Sequence, residues 1–398
     1  MGNGGRCPAV EVGQLRRVDP RSWRWLLLRR QVAVLKIVPV VHRDSGYSGT
    51  FGKSGRSGAV QLDAVARELA IDFGTASTRV WARGRGLVLD EPTVAAVDTR
   101  NREVLALGSE AFDLVGRTTH HVVIVRPLRQ GAITDFDMAE RMLRSILGRV
   151  GSSRMSRPKV LLTVPAAATS IERRALKQAA RSAGASSAVL LEAPMAAAIG
   201  LGLPVHDPVG SVVVDIGAGT AETGVISLGG VVAVKALRVG GQDLDRAVSD
   251  MVRHRYDVVV SDHTAEELKI NIGSADPGAP GMTAEIHGRQ TNSGEPAVAE
   301  VTTADVSGSI VDLLRSMVDG VATCLADSPP EFAQDVIFEG IHLVGGGSLL
   351  DGLVPLISAG TAVPVNLSPN PMHVVIEGAG RCLDDLSRLT SVFESADR

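Results

Sequence analysis

Cysteine is scarce in this chain: Cys7, Cys324 and Cys382 are the only three in 398 residues. An odd number without close spacing excludes a disulfide framework and suits a reducing compartment. Neither CxxC nor HExxH occurs, and the nine His are scattered, so zinc chemistry is not expected. Aromatic residues are 3% against 44% apolar residues in all, so the core must be Val, Leu, Ile and Ala. That supply suits α/β layers better than an aromatic-rich sandwich. Long apolar runs are also missing. The stretch RSWRWLLLRRQVAVLKIVPVVHR at 21–43 is broken by Arg29, Arg30 and Lys36, well short of the ~20 residues a membrane span needs. It has neither a clean apolar segment nor a small-residue cleavage site, and it is a poor signal peptide.

Charge of one sign is lacking over the whole chain but not over its parts. The net charge is −3, yet residues 1–60 carry 11 basic against 3 acidic side chains and the remainder 30 against 41. The acidic body excludes nucleic-acid binding by bulk electrostatics. The basic, Trp-bearing head reads either as an interfacial helix on a membrane surface or as a poorly ordered leader, even an over-called start of translation. DSGYSGTFGKSGRSG at 44–58 reads as a flexible linker. Its Gly52-Lys53-Ser54 is no P-loop, because Tyr47 stands where the first glycine belongs.

From about residue 66 the chain becomes regular. The patterning predicts hairpins over 68–84 and 212–234 and strands over 158–164, 188–194 and 341–347. Helices are expected at 169–184, after Pro194, and at about 242–257, 264–273 and 305–325. Thr169 and Glu172 form a capping box, and Gly184 ends that helix.

Two of these segments repeat one pattern: LAIDFGTASTRVWARG and VVVDIGAGTAETGVISLGG. Each is an apolar strand, an Asp, a glycine turn with Thr, and a second apolar strand. The acids are Asp72 and Asp215. Either hairpin alone reads as an ordinary turn whose Asp accepts backbone N–H bonds. Two of them, with HLVGGGSLL further on, point to a duplicated fold with a site between the halves. Glycines let backbone N–H groups approach phosphate oxygens, and Thr75, Ser77, Thr78 and Thr220 add hydroxyls. Two facing carboxylates repel unless a cation lies between them, and Mg2+ on a phosphate is the natural one, held largely through water.

The motifs DFGT at 72–75, DIGAGT at 215–220 and GGG at 345–347 resemble the actin, heat-shock chaperone and sugar kinase superfamily. Over about 68–390 the phrases GRTTHHVVIVRPLRQGAITDF, VPAAATSIERRAL, APMAAAIGLGLPV and AEELKINIGSA are similar to the MreB/Mbl family of bacterial actins. The resemblance implies an actin-like ATPase fold, with two RNase H-like domains, 61–205 and 206–398, around an ATP/ADP and Mg2+ cleft. Asp72, Gly74, Thr75, Ala76 and Ser77 would form the first phosphate loop. Asp215, Gly217, Ala218, Gly219 and Thr220 would form the second. Glu266 and Lys269 would hold the ribose, and Gly345, Gly346 and Gly347 would line the adenine side. VIEGAGR at 375–381 would cross back between the domains. The metal would lie between Asp72 and Asp215.

The chain departs from that family at one telling place. The residue before Pro194, a Glu that orients water in the family, is Ala193. Glu192 stands next door, but adjacent strand positions face opposite ways, so it substitutes only if the loop shifts by one residue. Ala218 in the second loop and Asn271 in the helix phrase replace a family Gly and Glu. Binding of ATP with slow or absent hydrolysis is expected, with Thr220 as the remaining water contact. The resemblance further implies a cytoplasmic, self-assembling filament protein of cell shape and wall synthesis. Expected partners are a paralogue of the family and membrane proteins of the wall machinery, with a membrane contact through the head. The alternative is a non-polymerising ATP-binding switch or co-assembly partner. A sugar kinase would need a catalytic Asp phrase that is missing, and a chaperone would need a substrate domain.

Overall fold

Leu69, Ile71 and Phe73 of β1 (Glu68–Phe73) are buried on one face of a sheet, which leaves Ala70 and Asp72 on the other. In the computed structural model, residues 68–117, 119–150 and 157–384 are described, all within the unit Leu62–Arg398. The basic head, the Gly/Ser linker and Cys7 lie outside the described residues.

β1 continues into β2 (Ser77–Ala82) and β3 (Gly86–Pro92), an antiparallel meander. A small sheet follows, from β4 (Ala95–Asp98), β5 (Val104–Leu107) and, after the short α1 (Ser109–Phe112), β6 (Val122–Val125). The two-residue strands β7 (Leu128–Arg129) and β8 (Ala132–Ile133) close a tight turn at Gln130 and Gly131. Then come α2 (Phe136–Arg149), β9 (Lys159–Val164), α3 (Ser170–Ala183) and β10 (Ser187–Glu192). β9 pairs in parallel with both β1 and β10, which completes the order β10-β9-β1-β2-β3. α3 starts and stops as its sequence requires. Thr169 Oγ1 accepts from Glu172 N, and Glu172 Oε2 accepts from Thr169 N. Leu176, Ala179, Ala180 and Ala183 bury one stripe.

After α4 (Ala193–Leu201) the second half repeats the plan. β11 (Ser211–Ile216), β12 (Ala221–Ser227) and β13 (Gly230–Leu237) form the meander. Next come α5 (Gly241–Tyr256), β14 (Val258–Val259) and α6 (Asp262–Ile272). A hairpin the sequence reading missed, β15 (Thr283–Gln290) and β16 (Pro296–Thr302), pairs with β14. The long α7 (Thr303–Asp327) buries Val306, Ile310, Leu314, Met317, Val321 and Cys324, a seam at helical spacing. α8 (Ala333–Glu339) precedes β17 (Ile341–Val344), and α9 (Leu353–Thr361) precedes β18 (Val365–Leu367). The order β13-β12-β11-β17-β18 matches the first sheet strand for strand.

Between the two sheets lies a separate apolar cluster. Ala70, Leu161 and Leu191 enter it from the first sheet, and Val213, Ile226 and Val344 from the second. α4 and α10 (Val374–Asp384) fill the layer and cross each other. They approach so closely that a Cβ on Gly200 or Gly378 would lie inside contact distance of the opposite helix backbone. α10 covers the stretch expected as the second crossing. Asp72 and Asp215 therefore stand on the inward face of their sheets, at the strand ends beyond this apolar layer.

Candidate functional site

The two hairpins are built alike. Gly74 N donates to Ser77 O, and Gly217 N donates to Thr220 O, so each turn has a two-residue tip. The tips are Thr75–Ala76 and Ala218–Gly219, and they meet: Gly219 packs against Thr75 and Gln130. Thr75 Oγ1 also accepts from Gly131 N at 3.1 Å. The amides of Gly74 and Gly217 thus close their turns.

Asp72 is well partnered. Thr163 Oγ1 on β9 donates to its Oδ1 at 2.7 Å, and Arg79 lies directly across the hairpin with Nη1 3.6 Å from Oδ2. Arg79 is nearly buried and also reaches Asp90 at 3.2 Å. Although burial opposes it, the His373 bond and Arg79 hold the Asp90 carboxyl below its usual range.

Asp215 has different company. Its cross-strand partner is Glu222, and its neighbour on β17 is Val344. Gly345, at φ +85, passes so close that any side chain there would collide with the Asp215 carboxylate. Protein crowds Asp215 although it keeps some exposed surface. Desolvation, with the Asp72 charge adding and Arg79 opposing, raises it to about 7. Glu222 is pushed up to about 8, first by burial, and further by Asp215 and Glu192. Its Oε2 accepts from Ala166 N at 3.1 Å, while its buried Oε1 has no hydrogen-bond partner. Asp72 and Asp215, the second raised mainly by desolvation and further by the charge of the first, are a donor set that a divalent cation fits. Among the described residues there is no cluster of three or more metal-ligating side chains.

The second loop is held from beneath. Gly241 N and Gln242 N, at the start of α5, donate to Gly217 O and Ala218 O. Lys269 on α6 donates to Gly241 O at 3.2 Å and pairs with Asp245 at 2.5 Å. Glu266, one turn earlier, is half-buried and adds to the charge around Asp245. Desolvation raises Asp245 to about 6, against the pull of Lys269. Gly346 and Gly347 begin a short 3-10 turn, and Gly347 packs on Ile216.

At the expected water-orienting position, Ala193 is the first residue of α4 and packs against the apolar layer. Glu192 precedes it as the N-cap residue and turns its carboxylate to Arg173, at 2.7 Å. Thr220 and Glu222 line one small pocket with Gln130, Gly131, Pro165 and Arg238. Arg238 makes two bonds of 2.9 Å to Glu172 at the start of α3.

The structure therefore brings Asp72, Thr75, Asp215, Gly217, Gly219 and the Gly345–Gly347 turn to one place. Sequence reading missed Arg79, Thr163, Asp245 and the role of Gly240-Gly241. The hairpin register was the available signal: counting back from each turn sets Arg79 opposite Asp72 and Glu222 opposite Asp215.

Two duplicated sheets with paired acidic hairpins define the class: this is an actin-like fold. It superposes on the Spiroplasma citri MreB5 crystal structure bound to ADP with a TM-score of 0.75 and 30% identity, covering 81% of this chain and 97% of that one. The MamK double helical filament gives 0.68 at 21% identity, over 80% and 99% of the two chains. The MreB/Mbl protein family model matches residues 66–391. The cell shape-determining protein MreB of Escherichia coli K12 is 40% identical over 323 residues, 80% of this chain and 93% of its own. The cell shape-determining protein Mbl of Bacillus cereus is 36% identical over 325 residues, 81% and 98% of the two. The chain belongs to the MreB/Mbl family. Among the described residues, no helix is long and apolar enough to cross a membrane.

Proposed function

We propose that this chain binds an adenine nucleotide with Mg2+ between its two hairpins and assembles with itself into cytoplasmic filaments that help determine cell shape. The observation that carries the reading is the Asp72–Asp215 pair at the two hairpin ends, where burial first and the Asp72 charge second raise Asp215 to about 7, a cost that a cation would relieve. Support comes from relatives named for cell shape along nearly their whole length, and from MreB5 structures bound to ADP and to AMPPNP. Asp72 and Asp215 are the residues that would hold the ion. The tips Thr75–Ala76–Ser77 and Ala218–Gly219–Thr220 hold phosphate oxygens. Glu266, with Lys269 braced against Asp245, borders the ribose, and Gly345–Gly347 form a flat adenine wall. The halves 61–205 and 206–398 act as two lobes that hinge at α4 and α10, where glycines permit sliding contact.

Hydrolysis is slow in this reading. Ala193 brings a methyl group where a water-orienting carboxylate is expected, and Glu192 is engaged with Arg173. Such groups contribute ~10²–10⁴-fold to rate. Ala193→Glu is therefore expected to raise phosphate release at least tenfold (about 1.4 kcal/mol of barrier), measured under single-turnover conditions.

Sedimentation of the purified full chain with ATP, with ADP and without nucleotide tests the reading. Pelleting that depends on ATP supports it. A chain that stays monomeric in all three conditions overturns the filament claim.

A further inference from the structure

The carboxylates near the two tips have distinct engagements. Asp72 is held by Thr163 and Arg79, and Glu192 by Arg173. Glu172 is shared between its own capping box and Arg238. Glu222 differs from these. It is 2% exposed, one oxygen is fixed by Ala166 N, and the other is buried without a hydrogen-bond partner. A buried polar oxygen left unmatched is costly, about 1–3 kcal/mol, and calls for an explanation.

Place in the strand supplies one. Glu222 is the second residue of β12, and Thr220 closes the turn just before that strand. Both line the pocket that also contains Gln130 and Gly131, whose amide is bonded to Thr75 at the other tip. The register sets Glu222 beside Asp215. The fixed oxygen is tied to Ala166, in the turn after β9 of the first sheet, so the free oxygen is aimed only while the two halves are together.

We infer that Glu222 is the acceptor that holds the attacking water in the residual hydrolysis of this chain, in place of the carboxylate missing at Ala193. The inference rests on the nucleotide reading above. With a cation at the paired acids the Glu222 carboxyl would be ionised, and its Oε1 would then accept a hydrogen bond from the water, with Thr220 as the second contact. The water oxygen bonds to the terminal phosphorus as the bond from phosphorus to the bridging oxygen breaks, and the electron pair leaves on the diphosphate. The water proton departs with the released phosphate into solvent, and Glu222 gains none. Its task is to orient, and the link to Ala166 makes that orientation depend on closure of the two halves.

Glu222→Gln separates this role from packing. The amide keeps its bond to Ala166 N only by using its oxygen, which turns an NH2 group toward the pocket. A donor then replaces the acceptor. The experiment measures fluorescent ATP-analogue affinity, thermal midpoint and single-turnover phosphate release for the full chain and for Glu222→Gln and Glu222→Asp. The expected result is release slowed at least tenfold in Glu222→Gln, with affinity within about twofold and a midpoint no lower than wild type. Glu222→Asp retracts the oxygen by one methylene, and an intermediate rate is expected. It also stands as the test if the Gln variant does not fold. Normal release in a folded variant that binds nucleotide overturns the inference and leaves the nucleotide reading intact. So does a wild-type chain that binds ATP but never releases phosphate. A rate loss matched by equal losses of affinity and midpoint means a structural role and also overturns it. A wild-type chain that binds no nucleotide overturns both readings.

Discussion

At the end of the first sheet, Asp72 faces Arg79 across the hairpin and takes a hydroxyl from Thr163 on the neighbouring strand. At the equivalent place in the second sheet, Asp215 faces Glu222 and has Val344 beside it. The strand order, the turn length and the turn hydrogen bonds are the same. One hairpin is thus neutralised within the protein, and the other is left with its charge unanswered. A duplicated backbone has been given two electrostatic tasks. The first half is a stable anvil, and the second is the half that a cation would complete. Asp215, raised to about 7, marks where such an ion would release the most repulsion.

The largest expected effect comes from breaking the neutralised side. Arg79→Met removes the buried guanidinium shared by Asp72 and Asp90 and leaves Asp72, the more covered of the two acids, without its cation. Removing one partner of a buried ion pair costs about 3–5 kcal/mol. Chemical denaturation at pH 7 should show a loss of that size. A loss under about 1 kcal/mol would mean that Arg79 does not neutralise the first hairpin.

A smaller effect is expected from pH on the unneutralised side, and its sign is opposite to that of a salt-bridged acid. Asp215 and Glu222 have folded values near 7 and 8, above their unfolded values. The folded chain therefore binds protons that the unfolded chain has released. The stability contributed by these two groups is fullest below about pH 4 and is lost as pH rises through 7 and 8. Asp245, near 6, adds to the early part of this fall. Asp90 is held low and is silent in the same window. Without nucleotide, the loss from pH 6 to pH 9 is expected to be on the order of 2–3 kcal/mol. Asp215→Asn should flatten that slope and raise the thermal midpoint at pH 8, while weakening Mg2+-dependent nucleotide binding at least tenfold (about 1.4 kcal/mol). A midpoint insensitive to pH in the wild-type chain would undo the contrast between the hairpins.

Much of this was legible in the residues, and the reason is local. A strand ending in Asp, followed by a two-residue glycine turn and a second apolar strand, specifies its own hairpin. Asp72 and Asp215 were therefore visible as a pair, and Gly345–Gly347 as a third element. α3 declared both its ends through Thr169, Glu172 and Gly184. What stayed hidden depended on neighbours far along the chain. Thr163 is 91 residues from Asp72, and Ala166 is 56 from Glu222. No local pattern marks such pairs. The hairpin β15–β16 buries alternate residues, but several of its inward positions are Ala284, Ala297 and Ala299, small side chains that mark the pattern only weakly in sequence. Arg79 and Glu222 were within reach, since the turn length fixes the register, but only a count across each hairpin exposes the difference between them.

The smallest expected effect would sharpen the comparison by moving one atom group from the first half to the second. Val344 is the β17 partner of Asp215 and belongs to the layer between the sheets, while Thr163, next after the Ile71–Leu162 pair, donates to Asp72. Val344→Thr keeps the shape and adds a hydroxyl that can donate to the Asp215 carboxylate, as Thr163 does at 2.7 Å to Asp72. A hydrogen bond to a charged group contributes about 1.5–3 kcal/mol, and burying the hydroxyl in an apolar layer takes back about 1–2. The net gain should be near 1 kcal/mol at pH 8, where Asp215 is charged, and should turn into a small loss at pH 5, where it is protonated. Thermal midpoints at the two pH values read this crossing directly. A variant that is equally destabilised at both would show that Asp215 cannot reach residue 344, and that the second hairpin is uncompensated because of its geometry and not because it lacks a donor.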